Sequence, residues 1–309
     1  MAEGDPLVAR LAADCAGEVR GAASLASHTT LRVGGDARVL VEAEGDRDLA
    51  AVGRAADEFD VPVLVVGRGS NMLVTDAGWP GIALVLGRGL RGCEVDEPVD
   101  GRGRVRVGGA EPLPVVAVRT ADAGLGGFAW GAGVPGTVGG AVRMNAGAHG
   151  GEMVDVLVEA ELFRLRSGVR EVWPADQLGL RYRSSALPDD AVVVAATLEL
   201  PVASADEVKD EIREVRDWRR EHQPINRPNC GSVFVNPDGD SAGRLIDVAG
   251  LRGLRRGGAQ VSELHANFIV TEPGATAADV LGLVAEVHDT VLDQHGIDLR
   301  SELVVVGAR

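Results

Sequence analysis

The stretch from Gly124 to Glu152, GLGGFAWGAGVPGTVGGAVRMNAGAHGGE, is where residue types and spacing first point to chemistry. Glycine fills eleven of the 28 positions from Gly124 to Gly151, against 42 of 309 in the whole chain. A glycine inside a helix or strand costs roughly 0.5 to 1 kcal/mol relative to alanine, so a regular element gains nothing from this composition. Bare backbone is needed where a flat or anionic ligand lies on the main chain and N–H groups point at phosphate oxygens. A set of tight turns is the other reading. Two features weigh against turns alone. Phe128, Trp130, Val134, Val138, Val142 and Met144 punctuate the run, and Val134-Pro135-Gly136 is a rigid device for shaping a loop.

A second candidate is Gly67-Arg-Gly-Ser-Asn71, fed by the β-branched run Val61 to Val66. Gly67 and Gly69 offer backbone donors and Ser70 and Asn71 offer side chains, as a phosphate cradle requires; a simple β-turn fits the same residues. The segment lacks G-x-G-x-x-G opening a helix, and the following MLVTD reads as a strand, which argues against a Rossmann dinucleotide domain.

The rest of the chain must position these segments. With 45% hydrophobic residues and a mean hydropathy near zero, 309 residues suffice for two or three compact domains. Aromatics are only 3%, so Val, Leu and Ala must build the cores. No apolar run of membrane-spanning length and no signal peptide is readable, so the expected compartment is the cytoplasm. Cys15, Cys93 and Cys230 are scattered without a CxxC pair, and the histidines do not cluster with them, so neither a disulfide framework nor a metal site is expected. A net charge of −15 argues against nucleic acid and anionic membrane as main partners, while a local arginine patch still suits a small anion.

After a helical opening, Ala37 to Glu44 reads as a strand, and Asp46 is expected to cap a helix carrying Leu49, Val52, Ala56 and Phe59. Val61 to Val66 reads as a strand buried on both faces. Ile82 to Leu86 and Arg104 to Val107 are short strands, and Pro112 to Ala123 is a helix leading into the glycine run. Val154 to Leu165 and Ala191 to Leu200 are β-rich and flank Leu180-Arg-Tyr-Arg-Ser-Ser185. Ser204 to His222 is a charged helix with Val208, Ile212, Val215 and Trp218 on one face, and the domain boundary is placed just before it. A loop from Asn229 to Pro237, a short helix at Ala242 to Ala249, the run Ala259 to Val270, a long helix from Ala275 to His295 and a strand at Leu303 to Val306 complete an α+β chain.

At this point the chain resembles the UDP-N-acetylenolpyruvoylglucosamine reductases, also called the UDP-N-acetylmuramate dehydrogenase or MurB family. Eight motifs occur in family order: TTLRVGG (29–35), GRGSNMLV (67–74), GVPGTVGGAVRMNAGAHGGE (133–152), RYRSS (181–185), GSVFVNP (231–237), SAGRLID (241–247), GGAQVSELHANFIV (257–270) and SELVVVG (301–307). The resemblance implies an FAD-binding domain of the vanillyl-alcohol-oxidase (PCMH) type at 1–203, in two subdomains of roughly 1–87 and 88–203, with the last strand, 301–309, returning to it. A C-terminal α+β substrate-binding domain would fill 204–300. Non-covalent FAD would then be held by Gly67, Gly69, Ser70, Asn71 and Met72, with Pro135, Gly136, Thr137, Gly140, Asn145, Gly147 and Ala148 along the flavin. The implied reaction is NADPH-dependent reduction of an enolpyruvyl ether of a UDP-sugar to a lactyl ether, for peptidoglycan precursor synthesis, by a monomer. Arg183 matches the family's arginine for the substrate carboxylate and enolate, Ser232 its proton donor and Glu302 its glutamate near the enolate. Arg181 shares a strand face with Arg183 if the segment is extended. Cys230 is read as a packing cysteine, and no histidine follows Ser232 in an elbow motif that would make it a hydrolase nucleophile. Asn236 and His265 are expected in the substrate cleft. Val235 and His222 depart from basic residues found in relatives, which bears on holding the UDP diphosphate, and the short segment after Ser185 matches the subtype without a tyrosine-bearing insertion. A flavin oxidase of the same superfamily and a silent FAD-binding or UDP-sugar-sensing protein are the competing readings.

Overall fold

The computed structural model describes residues 4–307, so the expected domain limits at 1 and 309 lie outside the described residues. The chain divides into two compact units. One comprises the segment up to Ala22, Arg38–Arg68 and Gly81–Trp218; the other comprises Ala23–Ala37, Gly69–Pro80 and the chain from Arg219 onward. This is not the expected cut before residue 204. The helix Ala205–His222 belongs to the first unit through Trp218, because Val208 and Ile212 are buried in that unit's larger core.

The first unit holds a four-stranded sheet in the order Val19–Ser24, Asp36–Ala43, Trp79–Leu86, Val63–Val66. The last two are parallel, with Val63 opposite Ile82 and Val66 opposite Val85. Because Val63–Val66 is an edge strand, Val63 to Val65 are only half-buried, and the expectation of a strand buried on both faces is corrected. The helix Asp46–Glu58 is capped by Gly45 without a side chain, and Asp46 lies in its first turn. The residue that ties this helix down is Asp48. Its carboxylate, 1% exposed, accepts from the backbone N–H groups of Ala16 (2.7 Å), Gly17 (3.1 Å) and Glu44 (2.9 Å). Gly53 occurs mid-helix, at a propensity cost of about 1 kcal/mol. A Cβ there would overlap the Leu165 carbonyl oxygen, so the glycine lets the helix press onto the next sheet.

That sheet is antiparallel and five-stranded: Val169–Pro174, Leu157–Arg164, Ala191–Pro201, Arg102–Gly108, Cys93–Val95. Strand alternation divides its central member between two cores. Val193, Ala196, Leu198 and Leu200 join Leu113, Val116, Phe128, Val138 and Val142, whereas Val192 and Val194 join Phe163, Leu165, Val39 and Ile82.

The second unit packs an antiparallel sheet in the order Asn229–Ser232, Phe268–Thr271, Ala259–Val261, Arg255–Arg256 against the helix Ala277–His295, which buries Val280, Leu283, Val287 and Val291. The helix start is doubly secured. Thr276 and Asp279 form a capping box, and the Asp76 carboxylate accepts from Ala277 N (2.7 Å) and Ala278 N (2.9 Å). The strand Val304–Val306 runs parallel to Met72–Val74, with Val304 opposite Met72. Among the described residues, no helix is long and apolar enough to cross a membrane, and no group of three His, Cys, Asp or Glu side chains is placed to hold a metal ion.

Candidate active site

In the first unit the edge strand Val63–Val66 ends at a recess whose lining includes Val66, Gly67, Thr137, Gly139, Gly140, Arg143 and Val193. Thr137 caps the helix Val138–Met144 and accepts from Gly140 N at 3.4 Å. The first helical N–H groups are turned inward: Val138 N donates to Glu111 O and Gly139 N to Gly109 O, both at 2.9 Å. Gly139 is where the backbone packs, since a Cβ would lie 3.0 Å from Val193 O. Gly67 is where the recess opens, since a Cβ would reach within 2.9 Å of Thr137 Oγ1.

The glycine run therefore has two jobs. A Cβ at Gly131 would press into the Phe128 ring and one at Gly151 into the Trp130 indole, so these positions allow close packing within the protein. Phe128 and Trp130 meet edge to face, with ring centroids 4.8 Å apart. Asn145 is also absorbed structurally. It closes the helix Val138–Met144 in the left-handed region (φ 40°), is buried, donates through Nδ2 to Glu152 (2.9 Å) and accepts through Oδ1 from Val154 N (2.9 Å). Pro135 and Gly136 precede Thr137, with Gly136 O accepting from Leu113 N, and Gly147 and Ala148 pair with Glu152 and Gly151.

Arg183 is not on an extended strand, and the expectation that Arg181 shares its face is corrected. Arg181 and Ser184 exchange backbone hydrogen bonds, both 3.0 Å, which closes a tight turn with Tyr182 and Arg183 at its tip. Arg183 takes φ 51°, a left-handed conformation that is strained for any side chain. Its Nη2 donates to Gly147 O at 3.1 Å, so the turn meets the glycine run, and its guanidinium carbon lies 5.0 Å from the Tyr182 ring centre.

Ser232, Glu302, Gly69, Ser70, Asn71 and Met72 belong to the second unit. There Glu302 N donates to Val233 O (2.8 Å), Asn71 Nδ2 to Glu302 O (3.1 Å) and Val304 N to Asn71 O (3.0 Å). Three motifs distant in sequence thus lie in one hydrogen-bonded patch: the Gly-Ser-Asn turn, the Gly-Ser-Val strand and the Ser-Glu-Leu segment. Gly69 (φ 58°) is required, because a Cβ would overlap the His28 carbonyl oxygen. Cys230 is buried in the core beside Val233 and Phe234, and burial pushes its thiol up to about 12, as suits a packing cysteine. Asn236 accepts from Ala242 N (3.0 Å) at the start of the helix Ala242–Val248. His265 accepts at Nδ1 from Asn267 N (3.3 Å) and packs on Phe268, with rings 4.6 Å apart; burial, then Arg252, lower its pKa.

Comparison with known proteins decides what this arrangement belongs to. Residues 223–306 match the C-terminal domain of UDP-N-acetylenolpyruvoylglucosamine reductase, and residues 37–171 match an FAD binding domain. The chain is 45% identical over 285 residues to the UDP-N-acetylenolpyruvoylglucosamine reductase of Methylorubrum extorquens, covering 92% of this chain and 90% of that one. It is 40% identical over 295 residues to that of Anoxybacillus flavithermus, covering 95% and 96%. The chain belongs to the UDP-N-acetylenolpyruvoylglucosamine reductase family. The crystal structure of the Thermus caldophilus reductase superposes with a TM-score of 0.78 at 37% identity, covering 94% of this chain and 99% of that one. The fold is α+β, with an FAD-binding domain and a C-terminal domain of the reductase, and the protein is an FAD-dependent oxidoreductase. The residues fit the cofactor. Gly67 and Gly140 leave room where side chains would fill the recess, and the side chains around them are apolar or hydroxyl-bearing apart from the cation of Arg143.

Two residues were not singled out from the sequence, one at the recess and one at the start of the helix Asp46–Glu58. Arg143 lines the recess, and its signal was a single charge inside the small and apolar run GGAVRM. Asp48 carried no local signal, because its three N–H partners lie in two other segments.

Proposed function

We propose that this reductase carries out the NADPH-dependent, FAD-mediated reduction of UDP-N-acetylglucosamine enolpyruvate to UDP-N-acetylmuramate, as a cytoplasmic monomer in peptidoglycan precursor synthesis. What supports the reading is the patch in which hydrogen bonds from the Asn71 side chain and from the backbone tie Asn71, Glu302 and Val233, the residue after Ser232, together. FAD, when bound, would supply the hydride for the β-carbon of the enolpyruvyl group. Arg183 holds the substrate carboxylate and stabilises the negative charge that develops on it as an enolate. A fixed cation facing developing charge is usually the largest single contribution to such a rate. The strained backbone at Arg183 supports this role, because such strain gathers at functional sites. Ser232 Oγ gives the proton to the α-carbon, so one hydride and one proton convert the double bond to a lactyl ether. Glu302 serves as its hydrogen-bonded partner at the enolate. Asn236 and His265 contact the UDP-sugar, and Gly67, Gly69, Ser70, Asn71 and Met72 hold the FAD diphosphate while the run from Pro135 to Ala148 follows the flavin.

The test is spectroscopic. Purified protein should show a flavin band that bleaches with NADPH without oxygen and recovers on adding the enolpyruvyl sugar nucleotide. Recovery only when air is admitted favours a flavin oxidase. A preparation that takes up no FAD overturns both.

A further inference from the structure

Arg143, in the last turn of the helix Val138–Met144, sends its guanidinium to a separate loop. Nη1 donates to Leu187 O (3.1 Å), and Nη2 donates to Pro188 O (3.0 Å) and Ala191 O (2.6 Å). In return Ser185 Oγ donates to Arg143 O at 2.7 Å. Four hydrogen bonds therefore join one recess-lining residue to the loop 185–191, and Ser185 directly follows the turn Arg181–Ser184 that carries Arg183. These acceptors are neutral carbonyls. Burial lowers the guanidinium's pKa, while the charges of Asp189 and Asp190 in the same loop oppose that shift and help to keep the cation. What the cation provides is geometry: a planar fork that fixes three carbonyls at once, which neither lysine nor methionine can do.

We propose that Arg143 is a positioning residue that transmits occupancy of the FAD recess to the turn presenting Arg183. The proposal rests on the reading of Arg183 as the group that meets the substrate carboxylate. Filling the recess fixes the helix Val138–Met144, the helix fixes Arg143, and Arg143 fixes the loop 185–191 and the adjoining turn. FAD thereby readies the residue that acts on the second substrate.

Hydrogen exchange of the full-length protein, stripped of FAD and then reloaded, tests the link. In the wild type, FAD should slow exchange at least tenfold both around Gly67 and Gly139 and across 181–191, where the amides of Arg181, Ser184 and Ala191 are hydrogen-bonded. In Arg143→Met the effect around Gly67 should persist while that across 181–191 falls below twofold. Arg143→Lys, with the charge but not the fork, should behave as the methionine variant does. Ser185→Ala, a milder change that stands in if Arg143→Met does not fold, should reduce protection of 181–186 at least threefold. In stopped-flow work the variants should slow flavin reoxidation by the sugar nucleotide more than tenfold while reduction by NADPH stays within twofold. Undiminished protection of 181–191 in the variants, or equal slowing of both half-reactions, overturns the proposal. If the link holds but Arg183→Ala reoxidises at the wild-type rate, the reading of Arg183 fails and the link stands.

Discussion

Replacing Arg183 by glycine and by alanine gives a paired experiment whose sign follows from one backbone angle. Both variants remove the same side chain, including its bond to Gly147 O and its contact with Tyr182, so those losses cancel in the comparison. What remains is φ 51°. Alanine held there costs roughly 1 to 2 kcal/mol, because its Cβ crowds the following carbonyl. Glycine avoids that cost but gives up roughly 0.5 to 1 kcal/mol of extra freedom in the unfolded chain. Arg183→Gly should therefore be the more stable by about 0.5 to 1 kcal/mol, the reverse of the order in a helix or strand. In a protein of this size that is a melting difference of roughly 1 to 2 °C, read by thermal unfolding of both variants saturated with FAD. Both should reoxidise with the sugar nucleotide about 10² to 10³ times more slowly, the usual loss when a group facing developing charge is removed. If the alanine variant melts higher, the left-handed turn is wrong. If reoxidation is unchanged in both, the role given to Arg183 is wrong.

Ser232→Ala should leave flavin reduction by NADPH fast and cripple reoxidation by the sugar nucleotide; equal slowing of the two half-reactions removes the serine from the proton step. Asp48→Ala strands three backbone N–H groups in a buried site and should cost at least about 3 kcal/mol in urea unfolding, since each bond to a charged acceptor contributes about 1.5 to 3 kcal/mol; a loss under about 1 kcal/mol means the carboxylate is replaceable by water. His288 lies 2.8 Å from Asp298 and 2.9 Å from Asp289, and its bonds to Asp298 first and Asp289 second raise its pKa. A raised folded value means the stabilisation is full below the unfolded value of about 6.5 and fades as pH climbs through the folded one. His288→Ala should thus lower the melting temperature more at about pH 5.5 than at about pH 9, and a loss that is equal or larger at high pH contradicts the assignment.

The parts of this protein legible in its sequence are those whose cause is local. The strand Asp36–Ala43 and the helix Ala277–His295 declare themselves by period and by capping residues, and the amphipathic stretch Ala205–His222 does so by its apolar face. The strand Val169–Pro174 was not legible, because VREVWP at a solvent-exposed sheet edge carries no apolar run, and Val19–Ser24 was hidden in a segment of small residues. The glycine run announced that bare backbone was needed. It did not say that Gly131 and Gly151 meet aromatic rings of the same chain while Gly67 and Gly140 border the recess, because that division depends on which atoms approach from elsewhere. The same holds for Arg183: residue type and motif marked it, yet an extended segment and a two-residue turn look alike until the exchange of bonds between Arg181 and Ser184 is seen.

The bond between Asn71 and Glu302 spans 231 residues of sequence. Closing a loop of that length costs about 5 kcal/mol in chain entropy, to be recovered only by contacts that form together with it. A ribosome-bound chain shorter than residue 306 cannot make the pairing of Val304–Val306 with Met72–Val74, however long its earlier part has been outside the tunnel. The strand Met72–Val74 beside the Gly-Ser-Asn turn must therefore wait, without this partner, until residue 306 has been made, and such an open edge can associate with the wrong strand.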